Sequence, residues 1–190
     1  MEAALNILKE EGASLPLVVD IVDKHYLGKG KRLGEWEFEA FLQEGDEAFD
    51  LEGPEDEMAA ISLSYTSGTT GDPKGVVTHH RGAYLNSLAN IVSWGTGMPL
   101  HTVFLHVVPM FHCNGWCFPW AITALAGTHV CTRWVRADLL YEAMAKYNVS
   151  HFCGAPILMN LLLSASQEHK RDLLGRNIQL MTAGAPHLPR

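Results

Sequence analysis

This sequence of 190 residues has few cysteines, a deficit of basic side chains and no long uninterrupted apolar run. Its four cysteines form no C-x-x-C pair, and no apolar leader stands at the N-terminus, so we expect reduced thiols in an intracellular compartment. Lys and Arg total 14 against 21 Asp and Glu, which excludes a global basic field for nucleic acid or anionic lipid. The most apolar window, residues 103–125, contains two histidines, an asparagine and two prolines, and so predicts buried core and no transmembrane segment.

Charge is distributed unevenly along the chain. Residues 1–57 carry a net charge of −11, whereas residues 58–190 carry +4. We interpret the first stretch as an acidic N-terminal segment that ends in a linker over 43–57, and the second as a separate domain. The final residues, HLPR, form no usual peroxisomal tripeptide, which leaves both the cytoplasm and the peroxisome open as compartments.

Strand and helix patterns alternate from residue 58 onward. The predicted strands cover 60–65, 76–78, 101–108, 128–132, 149–153 and 178–182, and the predicted helices cover 81–92, 114–125, 138–147 and 156–164. Before them, a strand is predicted at 15–22 and a short helix at 35–43. This order predicts an α/β fold with a mainly parallel sheet and flanking helices, whose ligands bind at the carboxyl ends of the strands.

A loop rich in hydrogen-bond donors follows the strand predicted at 60–65. Residues 66–75, TSGTTGDPKG, hold four hydroxyl side chains, three glycines and one lysine. Glycines let backbone N–H groups approach an oxyanion, hydroxyls donate short hydrogen bonds, and lysine neutralises phosphate charge. A generic turn would use some of the same residues, but the combination with a cation favours phosphate binding. The candidate phosphate ligands are Thr66, Ser67, Gly68, Thr69, Thr70, Gly71 and Lys74.

The loop differs from the P-loop of ordinary NTPases. That motif needs a lysine followed by Ser or Thr at the start of a helix. Here Lys74 is followed by Gly75 and then by the strand predicted at 76–78. The sequence therefore predicts a cradle made of strand, loop and strand.

Three segments carry a resemblance to a known superfamily. They are YTSGTTGDPKGV at 65–76, PMFHCNGW at 109–116 and TAGAP at 182–186. In these segments the chain resembles the adenylate-forming, or AMP-binding, ligases, and it is most similar to the plant-type acyl-activating enzymes that make short- and medium-chain acyl-CoA. The likeness covers residues 58–190 and extends more loosely into 1–57. It implies a partial AMP-binding domain, part of the large N-terminal domain of such an enzyme.

The resemblance implies a two-step reaction. A carboxylate attacks the α-phosphate of Mg-ATP to give an acyl-adenylate and pyrophosphate, and the thiol of coenzyme A then takes the acyl group. By similarity, Lys74 and His112 are catalytic, with His112 beside the acyl carboxylate and the α-phosphate. The same similarity places Gly184, Ala185 and Pro186 against adenine, and assigns Mg²⁺ mainly to residues outside this sequence.

Aromatic and cysteine side chains follow His112 closely. Trp116 and Trp120 are four residues apart; core packing is favoured for Trp120, whereas Trp116 fits either the core or the wall of an acyl pocket that limits chain length. Cys113 and Cys117 have the same spacing, which is more typical of buried thiols than of zinc ligands, so no metal ligand is assigned.

Some family segments do not occur in this sequence. The family's Thr-Glu segment, its ribose-binding aspartate and its distal catalytic lysine would follow Pro186, and they are absent from the 190 residues. We therefore expect a central fragment of an acyl-CoA synthetase that is inactive by itself. Two other interpretations stay open, which are a non-catalytic module that binds a nucleotide or a partner, and an adenylation domain that passes its acyl group to a carrier protein.

Overall fold

The computed structural model describes residues 1–28, 30–66, 71–95, 97–173 and 175–183. The chain divides into two compact units, residues 1–53 and 54–190. No helix within the described ranges is both long enough and apolar enough to cross a membrane.

The described residues of the first unit form two short helices and two short strands. Its elements are α1 (Glu2–Glu10), β1 (Val19–Asp20), β2 (Trp36–Glu37) and α2 (Phe38–Leu42). The strand predicted at 15–22 is therefore only two residues long, and the helix predicted at 35–43 begins later because Trp36 and Glu37 pair in parallel with β1. The Asp20 carboxylate accepts hydrogen bonds from the backbone N–H groups of Gly34 and Leu33, which lower the pKa of Asp20.

The second unit contains a hairpin, a four-stranded sheet and five helices in the ranges described. Its elements are β3 (Ala60–Thr66), β4 (Lys74–His79), α3 (His80–Ser93), β5 (Val103–His106), α4 (Cys113–Trp116), α5 (Phe118–Ala124), β6 (Thr128–Cys131), α6 (Ala137–Lys146), β7 (His151–Gly154), α7 (Pro156–Leu163) and β8 (Gln179–Thr182). Strands β3 and β4 form an antiparallel hairpin, and the sheet has the order β6-β5-β7-β8 with every pair parallel. The prediction of a mainly parallel sheet with flanking helices is confirmed.

Alternate side chains of the sheet enter two separate hydrophobic clusters. Leu105 and Phe152 belong to a cluster with buried residues of α6 and α7. Phe104 and Cys153, which point to the opposite face, belong to a cluster with Phe118 and other residues of α5. Both faces of the sheet are thus covered by helices, and its carboxyl edge is where the candidate site lies.

Helix α3 buries different residues from those its pattern predicts. The sequence suggests an apolar face formed by Tyr84, Leu85, Leu88, Ile91 and Val92. Ile91 is partly buried against the cluster that contains Phe118, whereas the other four side chains are exposed. The fully buried positions are Ala83 and Ser87, and the Ser87 hydroxyl donates to the Ala83 carbonyl at 2.7 Å. Helix α3 contacts α5, and small side chains at the buried positions allow such a close approach.

Candidate active site

The hairpin holds the two ends of the candidate phosphate loop side by side. Thr66 ends β3 and pairs in register with Lys74, which begins β4, so the strand–loop–strand arrangement is present as predicted. Gly71 has φ of +148°, a conformation that side-chain-bearing residues rarely adopt. The predicted ligands Ser67, Gly68, Thr69 and Thr70 lie outside the described residues.

The segment that carries His112 has an unusual backbone. The His112 N–H donates to the Pro109 carbonyl at 2.9 Å, and His112 itself is exposed. The next five residues, Cys113 to Cys117, have φ values of 47°, 49°, 64°, 58° and 62°, all in the left-handed region. The right-handed helix predicted over 114–125 therefore begins only at Phe118.

Consecutive left-handed residues need support from their surroundings. A left-handed conformation costs roughly 1–2 kcal/mol for each residue other than glycine. The turn at 113–117 has one glycine, Gly115, and its internal bonds include the Cys117 N–H to the Cys113 carbonyl at 3.3 Å. Such strained segments persist where neighbouring structure holds them, and they are frequent at functional sites.

Hydrogen bonds to two other elements hold this turn. The Ser64 hydroxyl donates to Asn114 Oδ1 at 2.7 Å, and Asn114 Nδ2 donates to the Ser62 hydroxyl at 2.8 Å. Asn90 Nδ2, on α3, donates to the Trp116 carbonyl at 3.1 Å. The turn after His112 is thereby hydrogen-bonded both to the phosphate-loop hairpin and to α3, the helix that follows the hairpin.

Sequence reasoning missed Asn114, although one signal for it was present. Asn is the side-chain-bearing residue that best tolerates a left-handed backbone, and here it directly precedes glycine. That pair indicated a turn inside the predicted helix over 114–125.

His112 lies in the walls of two cavities. The first, of about 500 Å³, is lined almost entirely by apolar side chains. The second, of about 460 Å³, lies between the hairpin and the His112 segment and has several hydroxyl groups in its wall. The first cavity includes Val107, Val108, Pro109, Trp116, Val135, Gly154, Ala155, Ile157, Leu158, Leu161 and Ala183. The second includes Ser64, Tyr65, Thr66, Val76, Thr78, Phe111, Cys113, Asn114, Cys117 and Trp120.

The structure brings several predicted site residues together. Thr66 and His112 share the second cavity, and His112 and Trp116 share the first, which lies beyond the carboxyl ends of β5, β7 and β8. Lys74 pairs with Thr66 but is not among the residues described in either cavity wall. The predicted adenine-binding residues Gly184, Ala185 and Pro186 lie outside the described residues.

The burial of the nearby Trp and Cys side chains agrees only in part with the sequence predictions. Trp120, favoured as a core residue, is only partly buried and lines the second cavity. Burial raises the pKa of Cys117, as does the neighbouring Cys113, and burial raises the pKa of Cys153 to about 12. These thiols are thus held in their protonated form. Across the described ranges, no three His, Cys, Asp or Glu side chains group so as to hold a metal ion.

Comparison with known sequences assigns the chain to a family. The sequence model described as AMP-binding enzyme matches residues 3–190. The chain belongs to the AMP-binding enzyme family. The match includes residues 3–57 of the acidic segment as well as the hairpin and the parallel sheet.

Curated relatives of this AMP-binding chain are plant CoA ligases. It is 46% identical to an acetate–CoA ligase of Humulus lupulus, with 99% of this chain and 34% of the relative covered. It is 43% identical to a peroxisomal acetate/butyrate–CoA ligase of Arabidopsis thaliana, with the same coverage of 99% and 34%. A peroxisomal benzoate–CoA ligase of Arabidopsis thaliana is 39% identical over 96% of this chain and 32% of its own length. The chain spans about a third of the length of these relatives.

Solved structures share the fold of the AMP-binding chain. The o-succinylbenzoate CoA synthetase of Bacillus subtilis in complex with its acyl-adenylate intermediate has a TM-score of 0.67 at 18% identity, over 98% of this chain and 47% of that one. A luciferase-like enzyme from the Zophobas morio mealworm has a TM-score of 0.66 at 21% identity, over 94% and 39%. These structures confirm the expected α/β fold.

Proposed function

We propose that this AMP-binding chain supplies the phosphate and carboxylate sides of the active site of an acid–CoA ligase. The observation that carries the proposal is that His112 borders two cavities, one that begins at the phosphate loop and one that is apolar. The hydroxyl groups of Ser64, Thr66 and Thr78, in the wall of the second cavity beside the phosphate loop, suit the polyphosphate of ATP. The apolar wall of the first cavity suits the acyl chain of a carboxylic acid. The names of the plant relatives, which are acetate, butyrate and benzoate CoA ligases, support the same chemistry.

The proposed first step is adenylation. A carboxylate oxygen forms a bond to the α-phosphorus of ATP, the bond from that phosphorus to the bridging oxygen breaks, and pyrophosphate leaves. Negative charge grows on the leaving group, and Lys74 and the hydroxyl and N–H groups of residues 66–71 stabilise it. His112 donates a hydrogen bond to the reacting carboxylate or α-phosphate oxygens. Gly184, Ala185 and Pro186 are proposed to contact adenine.

The second step transfers the acyl group to coenzyme A. The thiol sulfur forms a bond to the acyl carbon, the bond to the AMP oxygen breaks, and AMP leaves. Mg²⁺ fits poorly as an ion held by this chain alone, because the second cavity's described wall contains hydroxyl, amide and imidazole groups but no carboxylate. We propose that ATP's phosphates and ligase residues beyond this chain hold Mg²⁺.

The apolar cavity favours short or medium straight-chain acids. Its described wall contains His112 as the one titratable side chain, its volume is about 500 Å³, and the bulky indole of Trp116 forms part of the wall. Residues 58–190 are proposed as the AMP-binding part of the chain, after the acidic segment 1–57. Two relatives are named as peroxisomal, and we propose the peroxisome or the cytoplasm as the compartment.

The test is product analysis with the full-length ligase that contains this chain. Straight-chain acids from acetate to decanoate, and benzoate, are each incubated with ATP, Mg²⁺ and coenzyme A, and acyl-CoA is measured by mass spectrometry. We expect acyl-CoA from the shorter acids and AMP in equal amount. Adenylate without acyl-CoA would instead favour transfer to a carrier protein, and nucleotide binding without adenylate would favour a non-catalytic module.

A further inference from the structure

We propose that Asn114 is a positioning residue that fixes His112 relative to the phosphate-loop hairpin. The inference rests on the proposed function and gives a role to Asn114, which lies in the segment 109–116 but has no part in the two-step chemistry assigned above. Asn114 is partly buried, two positions after His112, and its side-chain amide bonds to β3. Asn114 is proposed to act by fixing the position of His112, without reacting itself.

The amide contacts β3 at two points on one face of the strand. Ser62 and Ser64 are two residues apart, so their side chains point the same way, and Thr66, which begins the phosphate loop, is the next residue on that face. The amide oxygen accepts from Ser64 at 2.7 Å and the amide nitrogen donates to Ser62 at 2.8 Å. Two bonds of opposite polarity to two serines fix both the distance and the orientation of the turn relative to the strand.

The backbone conformation at Asn114 explains why the turn needs these two hydrogen bonds. Asn114 has φ of 49° and ψ of 49°, and Cys113, Trp116 and Cys117, which disfavour this region, share it. Without external bonds, these residues gain energy by joining the right-handed helix that begins at Phe118. That change would move His112 away from the end of the hairpin.

The same turn links the two cavities. His112 precedes it and lines both cavities, and Trp116, near its end, lines the apolar one. A misplacement of about 1 Å at a reacting group can cost roughly a hundredfold in rate. Loss of the Asn114 bonds should therefore slow adenylation more than it weakens ATP binding, because none of the candidate phosphate ligands is changed.

Asn114 also lies in the wall of the second cavity, so a direct contact with substrate must be distinguished from positioning. Positioning requires the two serines, whereas a direct contact does not. Replacing Ser62 and Ser64 by alanine removes the partners and leaves the amide in place. The substitution Asn114→Gly removes the amide while keeping a residue that adopts φ of 49° without strain, and Asn114→Ala removes the amide and adds strain.

The experiment measures kcat and KM for adenylation by the full-length ligase, with the variants Asn114→Gly, Asn114→Ala and Ser62→Ala/Ser64→Ala. We expect Asn114→Gly to lower kcat about ten- to a hundredfold with the KM for ATP changed less than about threefold. The double serine variant should lose a similar factor, and combining it with Asn114→Gly should add little, because both remove the same bonds. Thermal unfolding of Asn114→Gly should stay close to that of the wild type.

An unchanged kcat in Asn114→Gly would overturn the proposal. A lowered kcat in Asn114→Gly together with an unchanged kcat in Ser62→Ala/Ser64→Ala would also overturn it, because that result would indicate direct contact between Asn114 and the substrate. Hydrogen exchange of backbone amides gives a readout that does not depend on activity. Asn114→Gly should raise exchange at residues 112–117 while β5 and β7 stay protected. Wild-type ligase without adenylation would contradict the proposed function, and unchanged exchange in Asn114→Gly would then contradict the positioning role.

Discussion

The residues of the candidate site are brought together by contacts with residues that are distant in sequence. Thr66 and Lys74 are adjacent because β3 and β4 pair, and His112 meets Thr66 at one cavity because the turn after it bonds to Ser62 and Ser64. The residue types of the loop predicted the candidates at 66–74, the family resemblance implied His112, and the aromatic spacing after His112 indicated Trp116. None of these signals predicted Asn114, because its serine partners lie about fifty positions earlier and no local pattern reports such a contact.

Lys74→Ala should slow adenylation by the full-length ligase. Loss of one well-placed charge donor generally lowers kcat by about ten- to a thousandfold, and Lys74 adjoins the end of the phosphate loop. Thioester formation from supplied acyl-adenylate should change far less, because pyrophosphate has already left. Stopped assays of each half-reaction measure both rates. Lys146→Ala, a lysine at the end of α6, is the matched control, and an equal loss in both half-reactions would contradict the role of Lys74.

Trp116→Ala should shift the preference of the ligase toward longer acids. Trp116 lines the apolar cavity, and removing its indole opens space for further methylene groups, each contributing about 1 kcal/mol or somewhat more to kcat/KM. The profile is measured with acids from acetate to decanoate. Trp120→Ala is the control, since Trp120 lines the second cavity. If the dependence of kcat/KM on chain length does not change in Trp116→Ala, Trp116 is a packing residue and does not limit chain length.

Among the elements, those with clear periodicity were predicted best. Strands β3 and β8 and helices α6 and α7 lie within about a residue of their predicted bounds, because their apolar patterns match the packing they make. The helix predicted at 114–125 was wrong at its start, where hydrogen bonds to other elements hold a left-handed turn. The buried face of α3 was predicted correctly only at Ile91, because the helix buries Ala83 and Ser87 and leaves the other large apolar side chains of that face exposed.

The strand pair β5–β6 should make stability depend on pH. His106 is buried, and its Nε2 lies 2.9 Å from His129 Nδ1. Burial, with a smaller effect of charge on His129, lowers the pKa of His106 from 6.5 to about 4. Between those values the unfolded chain binds a proton that the folded chain does not, so the stability present above pH 6.5 is lost as pH falls toward 4.

The size of this effect is up to about 1.4 kcal/mol in the free energy of unfolding per pH unit. The measurement is the urea concentration at the midpoint of unfolding of the full-length ligase, at neutral pH and at about pH 5. The control is the variant His106→Gln, which keeps a hydrogen-bonding side chain beside His129. The variant should lose less stability on acidification. The same pH dependence in both proteins would contradict a buried neutral His106.

At the scale of the whole molecule, much apolar surface is exposed. Leu63 and Val77, paired on the outer face of the hairpin, are exposed, and so are Tyr84 and Val92 on α3. Burial of one such side chain contributes about 1.5 to 3 kcal/mol, so several together approach the stability of a domain. The chain spans about a third of the length of its curated relatives, and we expect the remainder of the proposed ligase to cover this surface.

The 190-residue chain produced alone should therefore bind ANS, self-associate and unfold without a sharp transition. It should also show no acid-dependent exchange of pyrophosphate into ATP. Dye fluorescence, size-exclusion chromatography and calorimetry measure the first three properties. A monomer with a cooperative transition and no ANS signal would show that the chain is a self-sufficient domain, and would favour the nucleotide- or partner-binding module.

The most direct measurement of the central claim is acid-dependent exchange of labelled pyrophosphate into ATP by the full-length ligase without coenzyme A. Exchange reports adenylation alone, the step assigned to the phosphate loop and His112. We predict exchange with short straight-chain acids that disappears without acid and falls about ten- to a thousandfold in Lys74→Ala. Absence of exchange with every acid while ATP still binds, or full exchange in Lys74→Ala, would contradict the assignment of adenylation to this chain.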